Sequence, residues 1–200
     1  MKFEEIPMLT PSGSYEVNVP LDQLEKHISG YQQENDPSLP VLNFTPDFQR
    51  GHVWTKAQQI AYVEFFLRGG MTGRVIYLNY PNWGHFNVIR PGQYGEFVIV
   101  DGLQRLTALL KFVKGELPAF GHYVWRPDLA EDNDFNKGKL FFADRVRKAD
   151  ANGNLKINVN NLKTRDAVLR WYLEMNSGGT PHTKTELEKV RKMIEEEKCK

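Results

Sequence analysis

The sequence predicts an α+β domain: a small mixed sheet with helices, closing in a C-terminal helical part. Two observations predict it. Short apolar runs bounded by turn residues alternate with longer segments whose apolar side chains recur at helical spacing. One stretch, VIVDGLQRL, passes directly from a strand pattern into a helix pattern through a tight Asp-Gly turn. The length of 200 residues suits one domain, read here as 1–200, with a core at about 14–120 and a helical, basic region at about 121–200.

Taken in order, SYEVNV (14–19) alternates polar and apolar residues and is followed by Pro20 and the helical LDQLEKHI. ENDPSLP marks a loop. Thr55 and Gln58 fit a capping box for a helix with Ile60, Val63 and Leu67 on its apolar face, and Gly69-Gly70 stops it. RVIYLN (74–79), HFNVIR (85–90) and EFVIV (96–100) read as strands of one mixed sheet, with PNWG and PGQYG as turns between them. Leu106, Leu109, Leu110 and Val113 then mark a helix that Gly115 ends. From Pro118 to Asn160 the chain is rich in Asn, Asp and Gly and reads as irregular connections with a short hairpin around ADANGNLKIN. Val168, Trp171, Tyr172 and Met175 make another helical face, NSGGTP breaks it, and Thr183 with Glu186 opens a last, charged helix.

Composition narrows the function classes. Hydrophobic residues at 40% together with 16 glycines match an ordinary globular chain and argue against disorder. No apolar run approaches the roughly 18 residues of a membrane span, and MKFEEIPM lacks the basic-then-apolar order of a signal peptide. A soluble cytoplasmic protein with no membrane partner is expected. A lone cysteine, Cys199, excludes an internal disulfide and a cysteine metal cluster. The formal net charge of +1 conceals an asymmetry. Residues 1–48 hold 2 basic and 8 acidic side chains, whereas Phe135 to Tyr172 hold nine basic and three acidic ones. Arg145, Arg147, Lys148, Lys156 and Lys163 are therefore candidate nucleic-acid contacts, with a merely solvated face as the alternative.

Three stretches carry candidate chemistry. In DGLQR (101–105) a strand delivers the chain to a helix start, where free N–H groups and the helix dipole favour an anion such as phosphate. Gly102 admits close approach of the phosphate to the backbone, Arg105 supplies a forked cation, Asp101 holds a metal or orients water, and Gln104 positions that water. Asp101 as a simple helix cap fits the same residues. FQRGHVW (48–54) sets Arg50 beside the next helix start as a second phosphate clamp, with His52 or Trp54 available to stack on a base. Trp54 also fits a staple on Gln59 or Ile60, and His52 has no partner that would make it a base. NSGGTP (176–181) offers glycines and Asn176 to a nucleotide, or serves only as a helix end and linker.

The ordered set FQRGHVW, VIVDGLQRLTALLKF and MNSGGTPHTKTEL, spread over roughly Leu42 to Val190, resembles the N-terminal domain of GmrSD-type restriction enzymes, a family of the ParB/sulfiredoxin superfamily. The resemblance implies a ParB-like core that binds and hydrolyses a nucleoside triphosphate with magnesium and couples this to DNA sensing or cleavage. Carried over, the family's DGQQR motif falls on Asp101, Gly102, Leu103, Gln104 and Arg105, its QR-x-x-x-W motif on Gln49, Arg50 and Trp54, and its N-x-x-G motif on Asn176 and Gly179, with Glu186 beyond. The implied catalytic set is Asp101, Gln104 and Arg105, with Asp101 as metal ligand. The implied nucleotide-binding set is Gln49, Arg50, Gly102, Arg105, Asn176 and Gly179. Leu103 departs from the family's first Gln, and His182 stands where an apolar residue is usual. The five histidines show no His-Asn-His spacing, so a standalone domain without the HNH nuclease, served by a separate nuclease or effector subunit, is expected. A noncatalytic DNA-binding or partner-binding module and a ParB-like nuclease are the alternatives.

Overall fold

The computed structural model describes residues 14–31, 41–81, 94–125, 140–141, 154–177 and 184–198. Its main sheet has four strands among these residues, β1 (Ser14–Pro20), β2 (Val75–Asn79), β3 (Val98–Asp101) and β6 (Asn154–Asn160), in the order β1-β6-β2-β3. β6 runs antiparallel to β1 and parallel to β2, and β2 runs antiparallel to β3, so the sheet is mixed. β4 (Val124–Trp125) and β5 (Leu140–Phe141) pair separately in parallel. The helices are α1 (Leu24–Gly30), entered through a 3-10 turn at Leu21–Gln23, α2 (Lys56–Leu67), α3 (Leu103–Val113), α4 (Arg165–Ser177) and α5 (Lys184–Lys198). Helices and a mixed sheet together make the α+β class that the alternating periodicities predict.

Local chemistry accounts for most boundaries. At α2 the Thr55 hydroxyl accepts the Gln58 N–H at 3.3 Å while the Thr55 N–H donates to the Gln58 side chain at 2.9 Å, completing the predicted capping box. The helix gives out at Arg68, and Gly69 follows at a φ of 88°, where glycine carries no Cβ penalty. α3 buries Leu103, Leu106, Ala108, Leu109, Phe112 and Val113 on one stripe.

The region predicted as irregular is corrected by β6, which forms the interior of the sheet. Leu155, Ile157 and Val159 alternate along it and are all fully buried, opposite Val17 and Val19 of β1 and Ile76 and Leu78 of β2. The Asn-rich composition conceals this period of two, because the intervening places hold Lys156, Asn158 and Asn160. The sheet core therefore continues past residue 120 into the stretch assigned to a helical and basic region. The predicted strand HFNVIR, the first arm of the predicted hairpin and Thr183 of the last capping box lie outside the described residues.

Both faces of the sheet are covered at its β3 end. Ile99 joins Ile76 and Leu78 in a core with α1, α2 and α3, while Val98 and Val100 join Leu162, Val168, Leu169 and Trp171 beneath α4 and α5. Tyr77 meets Trp171 edge-on at 6.0 Å, and Phe48 meets Tyr172 at 5.2 Å, which fastens the loop before α2 to α4. β3 thus delivers its last residue, Asp101, between two helical layers. Among the described residues, no helix is long and apolar enough to cross a membrane.

Candidate functional site

β3 ends at Asp101 and α3 begins at Leu103, so Gly102 alone makes the turn. It does so at a φ of 99°, and a Cβ there would lie 2.5 Å from the Ile76 Cδ1. Leu106 is the residue whose N–H reaches back to the Gly102 carbonyl, at 2.9 Å, so the N–H groups of the preceding helical turn have no intrahelical acceptor. Arg105 sits one turn into α3 and its guanidinium pairs with Asp101, their side chains 19% and 29% exposed. The same guanidinium passes over Gly73, where a Cβ would lie 3.3 Å from the Arg105 Cδ.

Gln104 turns the other way. Its Oε1 accepts the N–H groups of Val53 at 3.0 Å and Trp54 at 3.1 Å, and its Nε2 donates to the Gly51 carbonyl at 3.0 Å. The amide mimics a strand edge and clips the FQRGHVW loop to α3. Both lone pairs of Oε1 are engaged by the loop, and one Nε2 hydrogen is left for the predicted water-positioning role. Gln49 works similarly from the loop side: its Nε2 donates to the carbonyls of Ile99 at 3.0 Å and Val100 at 3.1 Å. Its donor group anchors the loop to β3.

These anchors deliver Arg50, whose guanidinium lies 3.8 Å from the Glu186 carboxylate of α5. Tyr172 closes the α4 side; burial pushes its phenol up to about 12, against the Arg50 charge, which pulls it down. Asn176 donates back to the Tyr172 carbonyl at 2.7 Å. Tyr62 of α2 donates its hydroxyl to the Gly73 carbonyl at 2.7 Å and is likewise pushed up to about 12 by burial. Trp54 is half-buried, its ring 5.5 Å from that of Tyr62 and its carbonyl accepting from Gln59, so it belongs partly to the helix start, as the staple alternative supposes.

The result is a cleft of about 430 Å³, whose lining includes Gln49, Arg50, Asp101, Gly102, Gln104, Arg105 and Asn176. Seven of the predicted site residues, from three distant segments, therefore meet in one place. Gly179 and three of the predicted nucleic-acid contacts, Arg145, Arg147 and Lys148, lie outside the described residues. Lys156 pairs with Glu16 across the β6–β1 strands at 3.2 Å, and Lys163 donates to the Pro81 carbonyl. Arg165 and Arg170, from the same basic stretch, pair with Asp47 and Asp166 at 2.7 Å each. Three of the four described cations of that stretch thus have a carboxylate partner, and Lys163 has a backbone carbonyl. His52 is exposed, and partial burial with the Lys111 charge holds its ring below the usual imidazole range.

Sequence reasoning missed Tyr62, Phe65, Thr72, Gly73 and Met175, which also line the cleft. The signal available for two of them, Thr72 and Gly73, was the GGMTG run after α2, three glycines in five residues, read only as a helix stop. Among the described residues, no group of three or more His, Cys, Asp or Glu is placed to hold a metal. Asp101 is the one carboxylate among the described lining residues. A single carboxylate suits magnesium that arrives on phosphates, because that ion takes one or two protein carboxylates and fills its other positions with phosphate oxygens and water.

The family model described as the GmrSD restriction endonuclease N-terminal domain matches residues 24–191, a span that contains every lining residue of the cleft. No curated protein and no solved structure matches the chain. On that match, the chain belongs to the GmrSD restriction endonuclease N-terminal domain family.

Proposed function

We propose that, within the restriction or defence role its family carries, this domain binds a nucleoside triphosphate and hydrolyses it with magnesium, coupling turnover to DNA sensing through a separate nuclease or effector subunit. The observation that supports this reading best is the convergence of Arg50, Arg105 and the Gly102 turn on one cleft. Two guanidinium groups and a row of N–H groups without an intrahelical acceptor at a helix start form a strongly anion-seeking wall. The volume lies within the roughly 300–1,000 Å³ of ordinary small-ligand pockets.

In this reading Arg105 holds the phosphate nearest α3 through its forked donors, and the amides after Gly102 cradle the same group. Arg50 clamps a second phosphate from the opposite loop, exchanging its distant Glu186 partner for a closer one. Asp101 holds the ion and orients the attacking water. Magnesium, when bound, neutralises charge developing on the phosphates. Gln104 and Gln49 keep the Arg50 loop at the fixed distance that two-sided clamping requires.

The test is phosphate release from each radiolabelled nucleoside triphosphate, with and without magnesium and DNA, beside the Arg105→Ala and Asp101→Ala proteins. Magnesium-dependent release is expected from the unaltered protein and from neither variant, with nucleotide binding lost in Arg105→Ala and kept in Asp101→Ala. No release together with no nucleotide-induced thermal shift overturns the reading.

A further inference from the structure

Phe65 is 43% exposed and lines the cleft, whereas the other aromatic lining residues are half-buried (Trp54, Tyr62) or buried (Tyr172). Its position is nonetheless built. The ring lies directly over Gly70: a Cβ on that residue would stand 2.3 Å from the Phe65 Cε1 and Cζ and 2.6 Å from Cδ1. Beneath the ring the backbone is tied down. Gly70 donates to the Phe65 carbonyl at 3.0 Å and Gly69 to the Phe66 carbonyl at 3.0 Å. Arg74, only 6% exposed, donates its Nε to the Gly70 carbonyl and its Nη2 to the Phe66 carbonyl at 3.0 Å, with its guanidinium 4.3 Å over the Phe66 ring. Burying an arginine is costly unless its donors are satisfied, and here those donors hold the turn on which the Phe65 ring rests.

A half-exposed aromatic ring on a pinned backbone, inside a cleft, presents one free π-face to whatever enters. The charged wall of Arg50, Arg105 and the α3 start accounts for the phosphates of the proposed substrate and leaves its flat heteroaromatic base without a partner. Base-on-aromatic stacking supplies that partner and tolerates any base, since every base has a π-face. We propose that Phe65 is the nucleobase platform of the cleft, seated on Gly70 and packed by the base of the bound nucleotide; this rests on the triphosphate reading above.

The proposal separates base from phosphate, and so does its test. Binding of ATP, UTP and inorganic tripolyphosphate, each with magnesium, is measured by calorimetry on the unaltered chain and on Phe65→Ala, Phe65→Trp and Gly70→Ala. Phe65→Ala should weaken both nucleotides roughly five- to hundredfold, the range that truncating a base-stacking aromatic produces, and leave tripolyphosphate unchanged. Phe65→Trp should keep nucleotide affinity. Gly70→Ala, which retains the ring but drives it from its seat, should weaken nucleotides as Phe65→Ala does. Unchanged nucleotide affinity in Phe65→Ala, or an equal loss for nucleotide and tripolyphosphate, overturns the platform. Failure of the unaltered chain to bind tripolyphosphate or nucleotide overturns the triphosphate reading itself, a separate result.

Discussion

Gln104 holds Trp54 by its backbone, its side-chain oxygen accepting the Trp54 N–H at 3.1 Å while the same amide grips Val53 and Gly51. One side chain on α3 therefore fixes the approach to α2, because Trp54 immediately precedes the Thr55 cap.

Gln104→Ala removes all three bonds. Two of them are solvent-exposed, so the expected loss is about 1–2 kcal/mol, less than three buried bonds would give. A lower urea midpoint with an unchanged slope should report it. In steady-state hydrolysis the variant should raise KM far more than it lowers kcat, because a loosened loop misplaces Arg50 without touching the reacting phosphate. A normal KM with kcat abolished would return Gln104 to the catalytic role implied by the motif.

Gly102 is under two independent constraints, a φ of 99° and the Ile76 side chain 2.5 Å from any added Cβ. Gly102→Ala should cost roughly 1–3 kcal/mol through left-handed strain, with further loss from the clash inside the core. Because the turn also aims the α3 amides, nucleotide affinity should fall even at temperatures where the variant is fully folded. Retained affinity in a folded Gly102→Ala protein would show that those amides do not hold the ligand.

The strand-turn-helix unit around DGLQR was legible because a buried strand and an amphipathic helix have different periods and the Asp-Gly pair marks the change. β6 was not, since its alternate positions are Asn and Lys, residues whose composition points to a loop while Leu155, Ile157 and Val159 carry the strand. At the site, the motifs named which residues gather, yet the direction an amide faces is invisible in a sequence. Gln49 and Gln104 look like ligand contacts on paper and are bonded to backbone in the fold. Phe65 had the reverse problem: an apolar residue in a helix reads as core, and only the Gly70 seat reveals a ring held at the surface.

Alkaline unfolding should begin as pH rises past the ordinary phenol range. Burial raises the phenols of Tyr15, Tyr31, Tyr80 and Tyr94 and pushes those of Tyr62 and Tyr172 up to about 12, so the folded state keeps protons that the unfolded chain releases near 10. Their contribution is complete below about pH 10 and is lost as pH climbs towards 12. Circular dichroism against pH should place the transition in that window. Tyr172→Phe keeps the ring packed on Phe48 and removes one of these titrations, so it should move the midpoint upward. An unmoved midpoint would assign the transition to other groups.

Asp101 places a negative charge inside a wall otherwise built for anions, paired to the very guanidinium proposed to hold phosphate. In the absence of magnesium that carboxylate repels a triphosphate and competes with it for Arg105. Asp101→Asn should therefore tighten nucleotide binding in excess chelator, by a fewfold given the partial exposure of the pair. With magnesium present the order should reverse: the unaltered protein gains affinity from the ion through its carboxylate, the variant gains little, and its phosphate release falls by at least about a hundredfold. The decisive quantity is the ratio of Kd with chelator to Kd with magnesium, large for the unaltered protein and near one for Asp101→Asn. Equal ratios for the two proteins would mean that Asp101 neither holds the ion nor opposes the phosphates, and that its carboxylate serves only to orient Arg105.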